Sequence, residues 1–203
     1  MLRLRHSPAS PFVRKVRICA ALLGLADRIE LVPADTTDAN EPLREQNPLG
    51  RIPTLILEDG ATLYDSPVIV EYLDMLAGGG GVIPPTGPER IEALRQQAFA
   101  DGLLDAALIQ VYEVRFRPEN LRSADWMAYQ ADKVRRALAY AETHLTSALP
   151  GKLHVGHVAL ACALGYLDLR FEGRWRADHP RLIAWLDGFS AKVPAFEETR
   201  FTA

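Results

Sequence analysis

The sequence predicts a small α/β domain followed by an all-α domain, and three observations support this fold class. Residues 1–77 alternate between short apolar runs and amphipathic helical patterns. In residues 88–203 the apolar positions recur only at helical spacing, without the alternation typical of strands. Between them, residues 78–87 contain four consecutive glycines and a Pro-Pro pair, which make a continuous helix costly. We therefore expect domains at 1–77 and 88–203, joined by a linker over 78–87.

The first domain is expected to run strand, helix, strand, β-hairpin and helix. Apolar residues alternate in the first strand and recur at helical spacing in the helices, and an Asp-Gly turn is typical of the hairpin. Pro67 follows Ser66 at the start of the last helix, so Ser66 is predicted at its N-cap. The segments are strands at 2–4, 29–32, 53–57 and 61–64, and helices at 11–23 and 66–76.

Four helices and a short tail around Pro194 are expected in the second domain. Each helical segment ends near a proline or a glycine, residues that stop helices. The helices are expected at 88–116, 123–149, 155–171 and 179–189.

The composition argues against several classes of protein. The 203 residues are 48% apolar and have a net charge of −3, unlike the basic surfaces of nucleic-acid binders. No apolar run approaches the ~20 residues of a membrane span, and the N-terminus lacks the apolar stretch of a signal peptide. Cys19 and Cys162 are far apart, so we expect packing roles for both, no metal site and a reduced, cytoplasmic setting.

The start of the first helix is a candidate anion site. The N-terminus of a helix presents free backbone N–H groups and a partial positive charge, and Ser10 stands there directly before Pro11. A hydroxyl in that position can donate to a thiolate and keep it ionised. From local sequence alone, Ser10 is also consistent with a simple helix cap, and that interpretation is the commoner one.

Two further segments of the first domain offer groups for a small peptide ligand. Ile52-Pro53 is a candidate cis peptide, which would expose the backbone before the proline, and Arg51 is a fixed cation suited to a carboxylate. Asp65-Ser66 offers a carboxylate for an amine and a hydroxyl for a carboxylate. Taken singly, Arg51 is also consistent with a solvated side chain, and Asp65-Ser66 with plain capping.

Together these segments resemble the cytosolic glutathione S-transferases, and the resemblance covers almost the whole chain. Residues 10–17 look like the family's catalytic start, with the serine of theta- and zeta-like members and the Pro-Phe of omega-like ones. Residues 47–53 are similar to the turn before its cis-proline, and residues 64–73 to its γ-glutamyl-binding segment. The resemblance implies a thioredoxin-like first domain, glutathione as co-substrate and a homodimer.

The resemblance also implies how glutathione binds and reacts. Ser10 would donate a hydrogen bond to the glutathione sulfur, and we prefer it to Ser7 because it directly precedes Pro-Phe and the helix. Ile52, beside cis-Pro53, would pair its backbone with that of the cysteinyl residue of glutathione.

Charged and polar residues would bind the two ends of glutathione. Asp65 and Ser66 would bind the γ-glutamyl amine and carboxylate, and Arg51 would lie toward the glycyl carboxylate. Asp101 looks like the acidic residue that some members send across a dimer interface to the γ-glutamyl amine, although a helix-surface aspartate is the common alternative. The small electrophile is expected between the domains, against Leu104, Leu108, Val111, Tyr112, Phe116 and Trp175.

The sequence departs from the family pattern at the start of a helix in the second domain. Many members have Ser or Thr at the position of His154 and Asp at that of His157, where they form a buried helix cap. Two histidines could form a pH-sensitive substitute cap, or the cap could be lost at a cost of ~1 kcal/mol. With no third ligand nearby, they make a poor metal site.

The resemblance predicts a glutathione transferase, and two alternatives stay open. The serine and residues 16–18 suggest a glutathione-dependent isomerase of the zeta type, although zeta members usually carry Ser-Ser-Cys where this chain has Ser10-Pro11-Phe12. Some relatives are non-catalytic interaction modules, which do not need an intact glutathione site. No cysteine stands at position 10, which argues against a thiol-transferase mechanism through an enzyme mixed disulfide.

Overall fold

A four-stranded mixed sheet lies at the centre of the first domain in the computed structural model, which describes residues 1–201. The strands are ordered β2-β1-β3-β4; β1 pairs parallel to β2 and antiparallel to β3, and β3 pairs antiparallel to β4. Leu4 lies opposite both Leu31 and Leu55. The strands span β1 (Leu2–His6), β2 (Ile29–Pro33), β3 (Thr54–Ile56) and β4 (Thr62–Leu63).

Two amphipathic helices pack in this domain, α1 (Pro11–Leu22) and α3 (Ser66–Leu76). The β-α-β and β-β-α order is that of a thioredoxin-like domain, as predicted. A short helix, α2 (Leu43–Gln46), precedes β3 and was not predicted, because a single turn is too short to show helical periodicity. The hairpin strands are shorter than expected, but Gly60 occupies their turn at φ +88°.

The segment between the domains is ordered by one buried carboxylate. Asp74, near the end of α3, accepts hydrogen bonds from the backbone N–H groups of Gly80 (2.8 Å), Val82 (2.6 Å) and Ile83 (3.2 Å). Gly81 lies so close to Leu23 that an added Cβ would come within 2.3 Å of that side chain. Close packing therefore explains the glycine at this position, in addition to its role in interrupting the helix.

The second domain is entirely helical within the described residues. Its central helix, α6, is buried along most of its length and packs against both α4 and α1, so it joins the two domains. None of the helices in residues 1–201 combines the length and the apolarity needed to cross a bilayer. The helices are α4 (Gly87–Phe116), α5 (Ala124–His144), α6 (Val155–Phe171), α7 (Pro180–Lys192) and α8 (Pro194–Glu198).

Two helix ends were predicted wrongly. The helix expected to end at Phe189, α7, continues to Lys192. The periodicity suggested that α5 continues to Leu149, but it ends at His144. Thr143 and Thr146 direct their hydroxyls to the carbonyls of Ala139 (3.1 Å) and Glu142 (2.9 Å). Such side-chain bonds compete with regular helix, and Pro150 follows shortly after.

Candidate functional site

Ser10 is the N-cap of α1, as its position before Pro11 suggested. Its Oγ accepts a hydrogen bond from the backbone N–H of Val13 at 3.3 Å, so the hydroxyl proton is not used in this bond. Ser7 lies one turn earlier, where its carbonyl accepts the N–H of Ser10 at 3.0 Å. Ser10 is therefore the hydroxyl at the positive end of the helix, and it retains a proton to donate.

The Ile52-Pro53 bond is cis, as predicted, and the turn before it is organised by Asn47. This buried side chain was not singled out in the sequence. Its Nδ2 donates to the carbonyl of Arg51 (3.0 Å) and to Thr54 Oγ1 (3.1 Å), and its Oδ1 accepts from the backbone N–H of Leu49 (3.0 Å).

These bonds determine where the backbone before the cis-proline lies. Thr54 Oγ1 also donates to the carbonyl of Arg51 at 2.9 Å, so that oxygen accepts two hydrogen bonds. The Arg51 side chain itself is exposed. The sequence signal for Asn47 was its place directly before Pro-Leu-Gly, because asparagine side chains commonly close such turns.

The N-cap of α3 is Asp65 rather than Ser66, which corrects the prediction. The Asp65 carboxylate accepts the backbone N–H of Ser66, and its carbonyl accepts that of Ile69 at 3.1 Å. Ser66 is the first residue of the helix, and its fully buried hydroxyl has no hydrogen-bond partner within residues 1–201. A buried polar group without a partner is rare, and the binding role of Ser66 stays a prediction.

Asp101 joins the two domains within one chain. Both of its carboxylate oxygens lie 2.7 Å from the Nζ of Lys15, a side chain of α1 with no exposed surface. Burial raises the pKa of Asp101, the charge of Lys15 opposes that shift, and the charges of Asp65 and Asp105 add to it. Its role toward a γ-glutamyl amine across a dimer interface stays a prediction.

Three carboxylates are thus in electrostatic reach of one another at the domain boundary. Burial raises the pKa of Asp105, the charge of Asp65 acts in the same direction, and Arg51 opposes both. Neighbouring carboxylates that disfavour one another's ionisation stabilise a cation placed among them. Lys15 already provides one such cation, since its Nζ lies 2.7 Å from both oxygens of Asp101 and its charge also lowers the pKa of Asp105.

A cleft of about 280 Å³ opens beside Ser10, between α1, α6, α7 and the residues after α8. It was not predicted from the sequence, because its lining comes from five separate segments of the chain. Those segments contribute Ala9, Ser10, Pro11 and Arg14; Cys162, Gly165, Tyr166, Asp168 and Leu169; Arg176; Leu186, Asp187 and Ser190; and Phe196, Arg200 and Phe201.

The residues expected to contact the electrophile separate into three groups by burial, of which Leu108 and Val111 are half-buried against the core. Leu104 is fully buried, and Trp175 is buried with its Nε1 donating to Asp168 at 2.8 Å, so both belong to the core rather than to a free surface. Tyr112 and Phe116 are exposed and pack edge to face at 5.2 Å. The helical spacing of these residues could not distinguish the buried positions from the exposed ones.

Both cysteines have the packing role that was predicted. Cys19 and Cys162 are free and fully buried, and burial raises the pKa of the Cys162 thiol to about 12 and that of Cys19 as well. Neither is suited to act as a thiolate nucleophile, because a reactive cysteine needs a lowered pKa and access.

The βαβ–ββα domain with its cis-proline turn, followed by a helical domain, defines a two-domain protein of the thioredoxin-like class. Family comparison agrees: the model of the glutathione S-transferase N-terminal domain matches residues 9–76, and that of the glutathione S-transferase C-terminal domain matches residues 96–188. The chain belongs to the glutathione S-transferase family.

Similar proteins are known from other bacteria. A glutathione transferase family member from Pseudomonas fluorescens Pf-5, solved with bound glutathione, is 39% identical and superposes with a TM-score of 0.93, with each chain covered completely. A second structure from that organism, also 39% identical and completely covered, contains S-(propanoic acid)-glutathione and superposes with a TM-score of 0.89. The GST-like protein YibF of Escherichia coli K12 is 30% identical over 94% of this chain and 95% of its own.

Proposed function

We propose that the protein is a glutathione transferase that activates the glutathione thiol through Ser10 and directs the thiolate at a small electrophile. The observation that carries this proposal is the place of Ser10 at the N-cap of α1, with a hydroxyl proton not used in its bond to Val13. Glutathione in the Pseudomonas relative supports the choice of co-substrate.

Each end of glutathione finds a matching group in the first domain. The backbone of Ile52, beside cis-Pro53, would pair with the cysteinyl backbone; the bond of Asn47 to the preceding carbonyl of Arg51 supports this assignment. The γ-glutamyl carboxylate would accept from the unpaired hydroxyl of Ser66, and the amine would face Asp65. In the same proposal Arg51 lies toward the glycyl carboxylate.

The chemistry requires a thiolate at neutral pH. A thiol has an ordinary pKa near the ~8.5 of cysteine, and a hydroxyl donor at a helix N-terminus stabilises its ionised form. Lowering the pKa by one to two units requires about 1.4–2.7 kcal/mol, which one charge-assisted hydrogen bond can provide. The thiol proton leaves to solvent, the sulfur bonds to the electrophilic carbon, and the leaving group departs with its electron pair.

Four finer expectations belong to the same proposal. The Pseudomonas relative with S-(propanoic acid)-glutathione supports room for a short substituent on the sulfur. We also propose a homodimer, in which Asp101 contributes to the γ-glutamyl amine site, and a cytoplasmic location. A role in detoxification follows from the reaction class.

Replacing Ser10 by alanine tests the mechanism. We expect kcat/KM for 1-chloro-2,4-dinitrobenzene to fall about tenfold or more at pH 6.5, because the thiol pKa returns toward its ordinary value. The deficit should shrink above pH 9, where glutathione ionises without help. The matched variant Ser7→Ala should retain the wild-type pH–rate profile. A profile that shifts in Ser7→Ala and not in Ser10→Ala would assign the activation to Ser7 instead.

A further inference from the structure

Arg14 is a buried cation one helical turn beyond Ser10. Its backbone N–H donates to the carbonyl of Ser10 at 3.0 Å, so both side chains start from the same face of α1. The arginine is 9% exposed, and its guanidinium lies over the ring of Phe196, 4.0 Å from the centroid. Such a buried charge is normally matched by a counter-charge.

Within residues 1–201, no carboxylate forms an ion pair with Arg14. Its Nε donates to Thr199 Oγ1 at 3.3 Å and its Nη2 to the carbonyl of Phe196, both of them neutral acceptors. Nη1 has no hydrogen-bond partner among these residues. It lies against Gly165, where an added Cβ would come within 2.5 Å of it. The glycine therefore leaves space for the free end of the guanidinium.

Arg14 and Gly165 both line the 280 Å³ cleft that opens beside Ser10. Most other charges of the lining are already paired. Asp168 accepts from Arg176 through both oxygens and also from Trp175 Nε1.

The remaining charged groups form no ion pair with Arg14 within residues 1–201. Burial lowers its pKa, and the charges of Glu197 and Asp168 oppose that shift from beyond ion-pair distance. Arg200 donates to Glu197 at 2.7 Å, outside the cleft lining. Asp187 is exposed and lies beyond ion-pair distance of Arg14. Arg14 is thus the buried charge of the cleft that lacks a partner among the described residues.

We propose that this cleft receives an electrophile that carries a carboxylate, and that Arg14 binds the carboxylate while the reactive carbon faces the thiolate beside Ser10. This inference rests on the proposed function and specifies its substrate class. A carboxylate would supply the acceptor that Nη1 lacks among the described residues, and it would form an ion pair with the guanidinium. Arg14 therefore determines specificity and takes no part in the bond-forming step.

A preference for a carboxylate can be measured with a matched pair of electrophiles, 4-chloro-3,5-dinitrobenzoate and its methyl ester. In either case the thiolate sulfur bonds to the ring carbon, chloride departs with the electron pair of the broken bond, and the thiol proton goes to solvent. The two compounds differ in the charge of one substituent, which is distant from the reacting carbon. The corrected ratio is the ratio of kcat/KM for the two compounds divided by the ratio of their uncatalysed rates. It isolates the contribution of the carboxylate.

We expect wild-type protein to favour the carboxylate, and Arg14→Gln to reduce the corrected ratio at least about tenfold, the usual effect of losing a charge-assisted hydrogen bond. Gly165→Ala should reduce it in the same direction, because the new Cβ displaces Nη1 without removing a charge. Thr199→Val removes another contact of Arg14 but keeps its charge, and should retain the ratio. Arg174→Gln, which removes an exposed arginine outside the cleft lining, should retain it as well.

Binding of unreactive analogues separates this inference from the proposed function. With glutathione saturating, calorimetry should show 3,5-dinitrobenzoate binding at least about tenfold tighter than 3,5-dinitrobenzamide in the wild type and not in Arg14→Gln. If this binding preference is found but no conjugation occurs, the result supports the anion site and rejects the transferase activity. Conjugation without a preference for the carboxylate, or a preference lost in Arg200→Gln instead, would overturn the inference and leave the transferase intact.

Discussion

Asn47 illustrates how a single residue places the backbone that a peptide ligand would contact. Its amide donates twice, to the carbonyl of Arg51 and to the hydroxyl of Thr54, and it accepts once from the N–H of Leu49. Because the side chain is 1% exposed, water cannot replace these bonds without a local opening. The residues on either side of the cis-proline therefore depend on an amide that does not itself face the ligand.

Replacing Asn47 by aspartate retains the shape of the side chain but removes both donors. The carboxylate would face the carbonyl of Arg51, so we expect a loss of about 2–3 kcal/mol in unfolding free energy and a weaker affinity for glutathione. Urea denaturation and calorimetry with glutathione measure the two effects. Asn40→Asp is the matched control, because it adds the same charge at an exposed position. Equal behaviour of the two variants would show that Asn47 does not organise the turn.

At the scale of single elements, the start of α6 is capped by two histidines. His154 Nδ1 accepts the backbone N–H of Gly156, and His157 Nδ1 accepts that of His154, each at 3.1 Å. The two rings stack with centroids 3.6 Å apart. The histidines thus form a reciprocal capping box, and of the two possibilities raised by the sequence the structure shows the substitute cap.

This cap requires both accepting nitrogens to be unprotonated. Burial lowers the pKa of His157 to about 4, with a further contribution from the charges of His154 and Lys192. Burial also lowers the pKa of His154, and the charge of Glu92 opposes that shift. In the unfolded chain a histidine titrates near 6.5, so the unfolded state binds more protons between pH 6.5 and about 4.

Stability should therefore be complete above pH 6.5 and fall as the pH decreases toward 4. After allowance for partial exposure, we expect a loss on the order of 1 kcal/mol between pH 7 and pH 5. Urea denaturation at a series of pH values measures it. The double variant His154→Ser, His157→Asp carries the residue types of the common family cap and should lose this dependence. A parallel pH profile in the two proteins would contradict a titrating cap.

At the scale of the whole molecule, the two domains are joined by charges as well as by apolar packing. Lys15 extends from α1 to Asp101 on α4, and Arg14 extends from the same helix to the carbonyl of Phe196. The lysine is fully buried, and the aspartate side chain is 16% exposed. Removing one partner of such a pair leaves the other partner charged and buried. The pair therefore stabilises the domain contact only while both partners are present.

Lys15→Met retains the length of the side chain and removes its charge. We expect it to cost about 3–5 kcal/mol of unfolding free energy, because Asp101 is left buried without a counter-charge. The double variant Lys15→Met, Asp101→Leu should recover much of that loss. A double-mutant cycle from urea denaturation measures the coupling. Additive effects of the two substitutions would show that the pair is not coupled energetically.

Helical and alternating patterns identified most elements, because they depend on which face of a segment is apolar. The bounds of α6 agree with the prediction, and those of α4 differ by one residue at its start. The patterns could not detect α2, a single turn, or assign the N-cap of α3, where Asp65 and Ser66 are both good capping residues. They also could not separate the buried Leu104 from the exposed Phe116 on one helix.

Local patterns along the chain were therefore sufficient for the two-domain order, the helix start at Ser10 and the cis-proline turn, since each depends on residues that are neighbours in sequence. The cleft beside Ser10 depends on segments from residue 9 to residue 201. The lack of an ion pair for Arg14 among the described residues depends on which side chains surround it. Packing alone brings those groups together. The sequence thus indicated the candidate site at Ser10, because that signal is local, whereas the tertiary structure decided that the charge of Arg14 lies in the cleft beside it.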